Sequence, residues 1–117
     1  MKGFRRWMVW LLAGVVLAVL AGPVAAQAAD PPTFELSIKD HRFVPESLQV
    51  PAGVRIVLVV KNEDATPEEF ESHDLRLEKI VPGGTTVKLR IGPLEPGSYK
   101  FVGEYHEDSA HGVLTAK

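Results

Sequence analysis

The chain of 117 residues contains no cysteine. That absence excludes a disulfide framework, a thiolate-ligated zinc site, an iron–sulfur cluster, a thiolate-bound copper centre and any cysteine nucleophile, because each needs at least one sulfur. Methionine is nearly as scarce. The only two, Met1 and Met8, stand in the first eight residues, so the remainder offers no thioether to a soft ion such as Cu(I). No Ser-His-Asp or nucleophile-elbow spacing occurs, and no glycine-rich phosphate loop follows a strand-like run, so ordinary hydrolases and nucleotide-binding enzymes are disfavoured. A sustained 3.6-residue apolar period is missing too, which argues against helical bundles. Positive charge is short outside the N-terminus: Lys2, Arg5 and Arg6 take three of the 13 basic residues, leaving 10 against 15 acidic ones, a net −5. An acidic body lacks the basic face that a phosphate backbone requires, and it attracts cations.

What is present begins with a basic hexapeptide, Met1 to Arg6, followed by the uncharged stretch Trp7 to Ala21, the helix breaker Gly22-Pro23 and the small-residue box Ala26-Gln27-Ala28. These are the n-region, h-region and cleavage site of a secretory signal. The expectation is a cleaved signal over residues 1–28, a single domain over 29–117 and a periplasmic location; the alternative is a retained membrane anchor. Beyond the signal the apolar residues alternate with period two in seven runs: Phe34 to Ile38, Leu48 to Val50, Val54 to Val60, Leu75 to Val81, Val87 to Ile91, Tyr99 to Phe101, and Val113-Leu114. Turn signals separate them at Pro51-Ala-Gly53, Pro82-Gly-Gly84 and Glu95-Pro-Gly97. The pattern predicts an all-β, antiparallel Greek-key sandwich of about seven strands. Two polar segments interrupt it, Asn62 to Ser72 and Gly103 to Gly112, and both read as loops, where binding chemistry on a rigid sandwich concentrates.

Three pieces resemble, in order, small cupredoxin domains: Phe43-x-Pro45-x-x-Leu48-x-Val50-Pro-Ala-Gly53, Asn62-x-Asp64-x-x-Pro67, and Pro96-Gly-Ser-Tyr99-x-Phe101-x-Gly103-x-x-His106 followed by Gly112-Val-Leu. The resemblance implies the cupredoxin sandwich and locates the family's four copper-ligand positions. The first histidine falls on Glu68, with Glu69 beside it. The cysteine falls on Gly103, the second histidine is kept as His106, and the axial methionine falls near Ser109 or Ala110. A blue-copper electron carrier needs a short copper–thiolate bond in a His₂Cys plane, so that activity is not expected here. Pro67-Glu-Glu-Phe-Glu-Ser72 together with Tyr99-Lys-Phe101-x-Gly103-Glu-Tyr-His106 is similar to a narrower group, the cupredoxin-like partners of bacterial high-affinity iron permeases. That likeness implies a periplasmic accessory protein that binds copper and/or iron. It would help to oxidise ferrous iron, a ferroxidase-type accessory activity, or deliver iron to a permease and other uptake components in the inner membrane.

Carboxylates with one or two imidazoles form a hard to borderline ligand set that suits Fe(III), Cu(II), Mn(II) or Zn(II). The expected metal site is centred on His106 with Glu69 and Glu104 as oxygen ligands, Glu68 and Glu71 as further candidates, and His111 and His73 as weaker ones. Strand parity in Glu68-Glu-Phe-Glu71 puts Glu69 and Glu71 on one face and Glu68 with Phe70 on the other; with Phe70 in the core, Glu68 turns inward. The same acidic run also reads as a solvated face, and His41 as a structural or surface residue. Gly103, without a side chain, is expected to leave its corner open to water or an exogenous ligand. The alternative function is a metal-free module that keeps the framework only to dock on a membrane permease or redox partner. The signal reading has a direct check: intact mass of the exported protein should begin near Ala29, and a membrane-retained species still carrying Trp7 and Trp10 would contradict it.

Overall fold

The computed structural model describes residues 3, 14–18, 22 and 30–117; the expected signal and cleavage box over residues 1–28 lie, but for those few positions, outside the described residues. Nine strands follow in order: β1 (Thr33–Lys39), β2 (Arg42–Val44), β3 (Ser47–Val50), β4 (Ile56–Asn62), β5 (Glu68–Ser72), β6 (Leu77–Val81), β7 (Thr86–Ile91), β8 (Gly97–Gly103) and β9 (His111–Ala116), with a 3₁₀ turn, Glu104–His106, between the last two. They form a four-stranded sheet ordered β2-β1-β4-β7 and a five-stranded sheet ordered β3-β9-β8-β5-β6. The sandwich is as expected, with two corrections. There are nine strands rather than about seven, because three-residue β2 is too short to show a period and β5 carries its acids on a strand, not in a loop. Nor are the sheets wholly antiparallel: β1 runs parallel to β4, and β3 parallel to β9. The cause is that the chain detours through the second sheet as β3 and re-enters the first beside β1 in the same direction.

The two sheets meet over three phenyl rings. Phe43 of β2 stands edge-on to Phe101 of β8, with ring centroids 5.0 Å apart, and to Phe70 of β5 at 6.0 Å, while Phe70 and Phe101 stack at 5.2 Å. All three are buried, each contributing roughly 2–3 kcal/mol of apolar burial. Gly112 lies opposite Phe101 across β8 and β9, where a Cβ would collide with the ring.

One polar residue organises the connection into β5. Asn62, buried at the end of β4, donates from Nδ2 to the carbonyls of Thr66 (2.9 Å) and Val81 (3.0 Å) and accepts from the Asp64 N–H at 3.0 Å. Asp64 in turn accepts from the N–H groups of Asp40 (2.8 Å) and His41 (3.0 Å). Those two residues make the two-residue β1–β2 turn, with φ of 51° and 57°, the left-handed pair of a type I′ hairpin. The Asn62-x-Asp64 spacing therefore ties a β4 end, a loop and a distant hairpin together. Replacing Asn62 by alanine strands two carbonyls and one N–H, a loss of about 2–3 kcal/mol. The Asn62→Ala protein should melt about 10–20 °C lower by circular dichroism; an unchanged midpoint would show that water replaces the amide.

Candidate functional site

Strand parity determines what each residue of β5 meets. Phe70 points into the core, so Glu68 does too, and Glu69 and Glu71 face outward. Glu68 is 1% exposed. Its Oε1 accepts from the backbone N–H of Glu69 at 3.0 Å and of Tyr105 at 2.9 Å, and its Oε2 accepts from His106 Nδ1 at 2.6 Å. The β5 strand and the segment after β8 thus meet at one pole of the sandwich. Gly103 is buried rather than open: a Cβ there would stand 2.6 Å from Glu68 Cδ and 2.7 Å from Ala110 Cβ. The corner expected to admit water or an exogenous ligand is filled by the Glu68 carboxyl. Glu68, Gly103, His106 and Ala110, which stand at or beside the positions where the resemblance puts the family's copper ligands, therefore converge on one small volume.

His106 is held on its ring face as well. The His41 imidazole stacks on it with centroids 3.5 Å apart and planes 13° from parallel, and His41 Nε2 lies 3.3 Å from Thr66 Oγ1. Ser109 Oγ donates to the His41 carbonyl. Burial pushes the Asp64 carboxyl up, but the His41 and Asp40 N–H groups and the nearby His41 and His106 charges outweigh it, leaving Asp64 below the usual carboxylate range. Its contribution to stability is present above that range and is lost as pH falls through it.

A second group lies outside the sheet. Glu69 of β5, Glu78 of β6 and Glu104 of the 3₁₀ turn bring one carboxylate oxygen each within 4.8 Å of one another. Glu71 faces Glu78 across the β5–β6 pair. The Glu69 and Glu71 carboxyls are raised, first by partial desolvation and then by hydrogen bonding to Glu104 and its charge. Tyr105 is raised by desolvation and by the charges of Glu69 and Glu104. The structure thus brings Glu69 and Glu104 together with Glu78, while His106 is paired with Glu68. His73 is exposed and reaches Glu71 at 3.3 Å. His111 pairs with Val102, itself opposite Glu71, two strands or about 10 Å from it.

Glu78 was not anticipated. The signal that finds it is hairpin register: once β5 is read as a strand, Glu71 and Glu78 are cross-strand neighbours. His41 and Asp64, which brace His106, carry no local signature beyond the turn.

The chain belongs to the cupredoxin-like domain family, whose model matches residues 10–116. It is 45% identical over 80 residues to an uncharacterized protein of Rickettsia prowazekii (strain Madrid E), an alignment covering 68% of this chain and 64% of that protein, so the chain spans less than two thirds of its relative's length. Among solved structures it is similar to auracyanin A, a "blue" copper protein of Chloroflexus aurantiacus, with a TM-score of 0.64, 18% identity, and coverage of 74% of this chain and 99% of that one. It is also similar to a purple cupredoxin of Nitrosopumilus maritimus, with a TM-score of 0.55, 18% identity, and coverage of 71% and 98%. At these identities the solved structures speak for the fold. A thiolate-bound copper does not fit this pole: Gly103 and Ala110 supply no sulfur, and the space a side chain at Gly103 would need is taken by Glu68 and Ala110.

The outer carboxylates have a pH signature. A raised carboxyl holds its proton more tightly in the folded state than in the unfolded chain, so at neutral pH the cluster opposes folding, and the opposition fades as pH falls into the carboxylate range. In metal-free protein at low salt, Glu104→Gln should raise the melting temperature at pH 7 and leave it nearly unchanged at about pH 4. Equal shifts at both values would mean that repulsion is not the cause.

Proposed function

We propose that this protein is a cation-binding member of its family that holds a hard or borderline metal ion, iron or Cu(II), on the outer carboxylates and hands it to an iron permease in the inner membrane. The observation that carries this reading is the approach of Glu69, Glu78 and Glu104 oxygens to within 4.8 Å of one another. Three carboxylates drawn from two strands and a turn repel each other, and a bound cation removes that cost. An all-oxygen donor set favours Fe(III) and other hard ions over Cu(I). Glu78 and Glu104 are exposed, as a site that loads and releases its ion requires. The basic and apolar N-terminal stretch supports a periplasmic setting, and the likeness of residues 67–72 and 99–106 to partners of iron permeases supports the pathway. The function put forward is binding and delivery; oxidation of ferrous iron would need an electron acceptor from outside the chain. The metal-free docking module is the second reading, favoured by the filled inner pocket.

Calorimetric titration with Cu(II), and anaerobically with Fe(II), decides between them. Wild type should bind one ion, Glu78→Gln and Glu104→Gln should each weaken it by at least about tenfold, and His106→Ala should bind as wild type does. Because Glu69 and Glu71 hold protons above the usual carboxylate range, affinity should begin to fall at a pH above that range as protons compete. Absence of binding to wild type would leave the docking module as the better reading.

A further inference from the structure

We propose that the Glu68–His106 pair stands in for the metal ion as the cross-link at this pole, so that the pocket in which a cupredoxin fold holds copper is here a closed, metal-independent structural site. This inference concerns the interior of the sandwich and does not depend on the outer carboxylates.

Three observations carry it. First, the Glu68 carboxylate is fully engaged. Its two oxygens accept three hydrogen bonds from Glu69, Tyr105 and His106, and among the described residues no buried side-chain polar atom lacks a partner. A carboxylate this deeply buried is tolerated only when so satisfied. Second, the distance is that of a hydrogen bond and not of shared ligation. Two donor atoms bound to one tetrahedral ion at about 2.0–2.1 Å lie roughly 3.3 Å apart, whereas Glu68 Oε2 and His106 Nδ1 are 2.6 Å apart. An ion between them would have to break the bond that positions both. Third, the space left where the other two ligand positions carry small residues is taken up by the Glu68 carboxyl. The space beside Gly103 is bounded by Glu68 Cδ at 2.6 Å, Ala110 Cβ at 2.7 Å and Glu68 Oε1 at 2.9 Å from where a Cβ would be, and Ala110 is itself buried. The pocket has been filled, not emptied.

The pair does the mechanical work of an ion. It joins β5 to the 3₁₀ turn across 38 positions of sequence, and the His41 ring stacked on His106 brings in the β1–β2 hairpin of the other sheet. Carboxylate, imidazole and stacked imidazole together tie both sheets at one point.

The test uses copper as a reporter of the pocket and melting as a reporter of the cross-link. Cu(II) is added to wild type, Gly103→Cys and the double variant Glu68→His/Gly103→Cys, and the visible thiolate-to-copper charge-transfer band is read. No intense band is expected from wild type or Gly103→Cys, and a strong one from the double variant, in which an imidazole replaces the Glu68 carboxyl so that two imidazoles and a thiolate can reach one ion. A strong band from Gly103→Cys alone would overturn the inference, as would a folded double variant that stays pale. Thermal melts in the presence of a chelator settle the matter if the double variant does not fold. Glu68→Gln and His106→Ala should each melt lower than wild type, and Glu68→Gln/His106→Ala should melt no lower than the worse single variant, because both remove one interaction. Additive losses, or a wild type that unfolds on chelation, would overturn it.

Discussion

A buried carboxylate dictates much of this molecule's geometry. Glu68 lies inside the sandwich because Phe70, two residues on, must join the phenyl cluster, and a strand cannot bury one without the other. Once inside, the carboxylate requires donors. Two come from the backbone at Glu69 and Tyr105 and one from His106, and satisfying them draws the segment after β8 onto the start of β5. The outer arrangement follows. Glu69 is the next residue after Glu68, and Glu104 immediately precedes the donor Tyr105, so the hydrogen bonds that quiet the inner carboxylate also crowd the outer ones together. Inner satisfaction and outer repulsion are two faces of one local geometry.

Much of this was legible in the sequence. Period-two patterning located seven runs that all became strands, and parity in Glu68-Glu-Phe-Glu71 assigned the inward and outward acids correctly. The acidic run nonetheless read as a loop, because its outward residues are charged and a proline precedes it, and that misreading concealed Glu78. A strand with glutamates on one face and Glu68, Phe70 and Ser72 on the other shows no hydrophobic alternation to detect. Parallel pairing of β1 with β4 and of β3 with β9 was out of reach for a different reason: direction is set by the path of the whole chain, and no short window contains it. The absence of a side chain at Gly103 was visible, but its meaning was not, since an empty position in sequence becomes an empty space only if no neighbour fills it.

Metal sites that hold a fold together couple ion release to unfolding, because the ligands lose their arrangement when the ion leaves. Here the interior at the corresponding pole is joined by the Glu68–His106 hydrogen bond and the His41 ring stacked on it. A cation on the outer face of β5, β6 and the 3₁₀ turn would meet a framework that exists without it, so its release would restore the carboxylate repulsion and lower stability without removing the contacts that hold the fold.

The position of β9 has a consequence for how the chain reaches this state. Its six residues lie between the edge strand β3, to which they pair in parallel, and the central strand β8 of the five-stranded sheet. Until His111–Ala116 are available, β3 has no partner and β8 lacks one of its two neighbours. Pairings that join residue 47 to 113 and 50 to 116 close very long loops, the kind of contact that makes folding slow. The edge strand β3 is therefore joined to its sheet only once β9 has inserted, while the four strands of the other sheet pair without it.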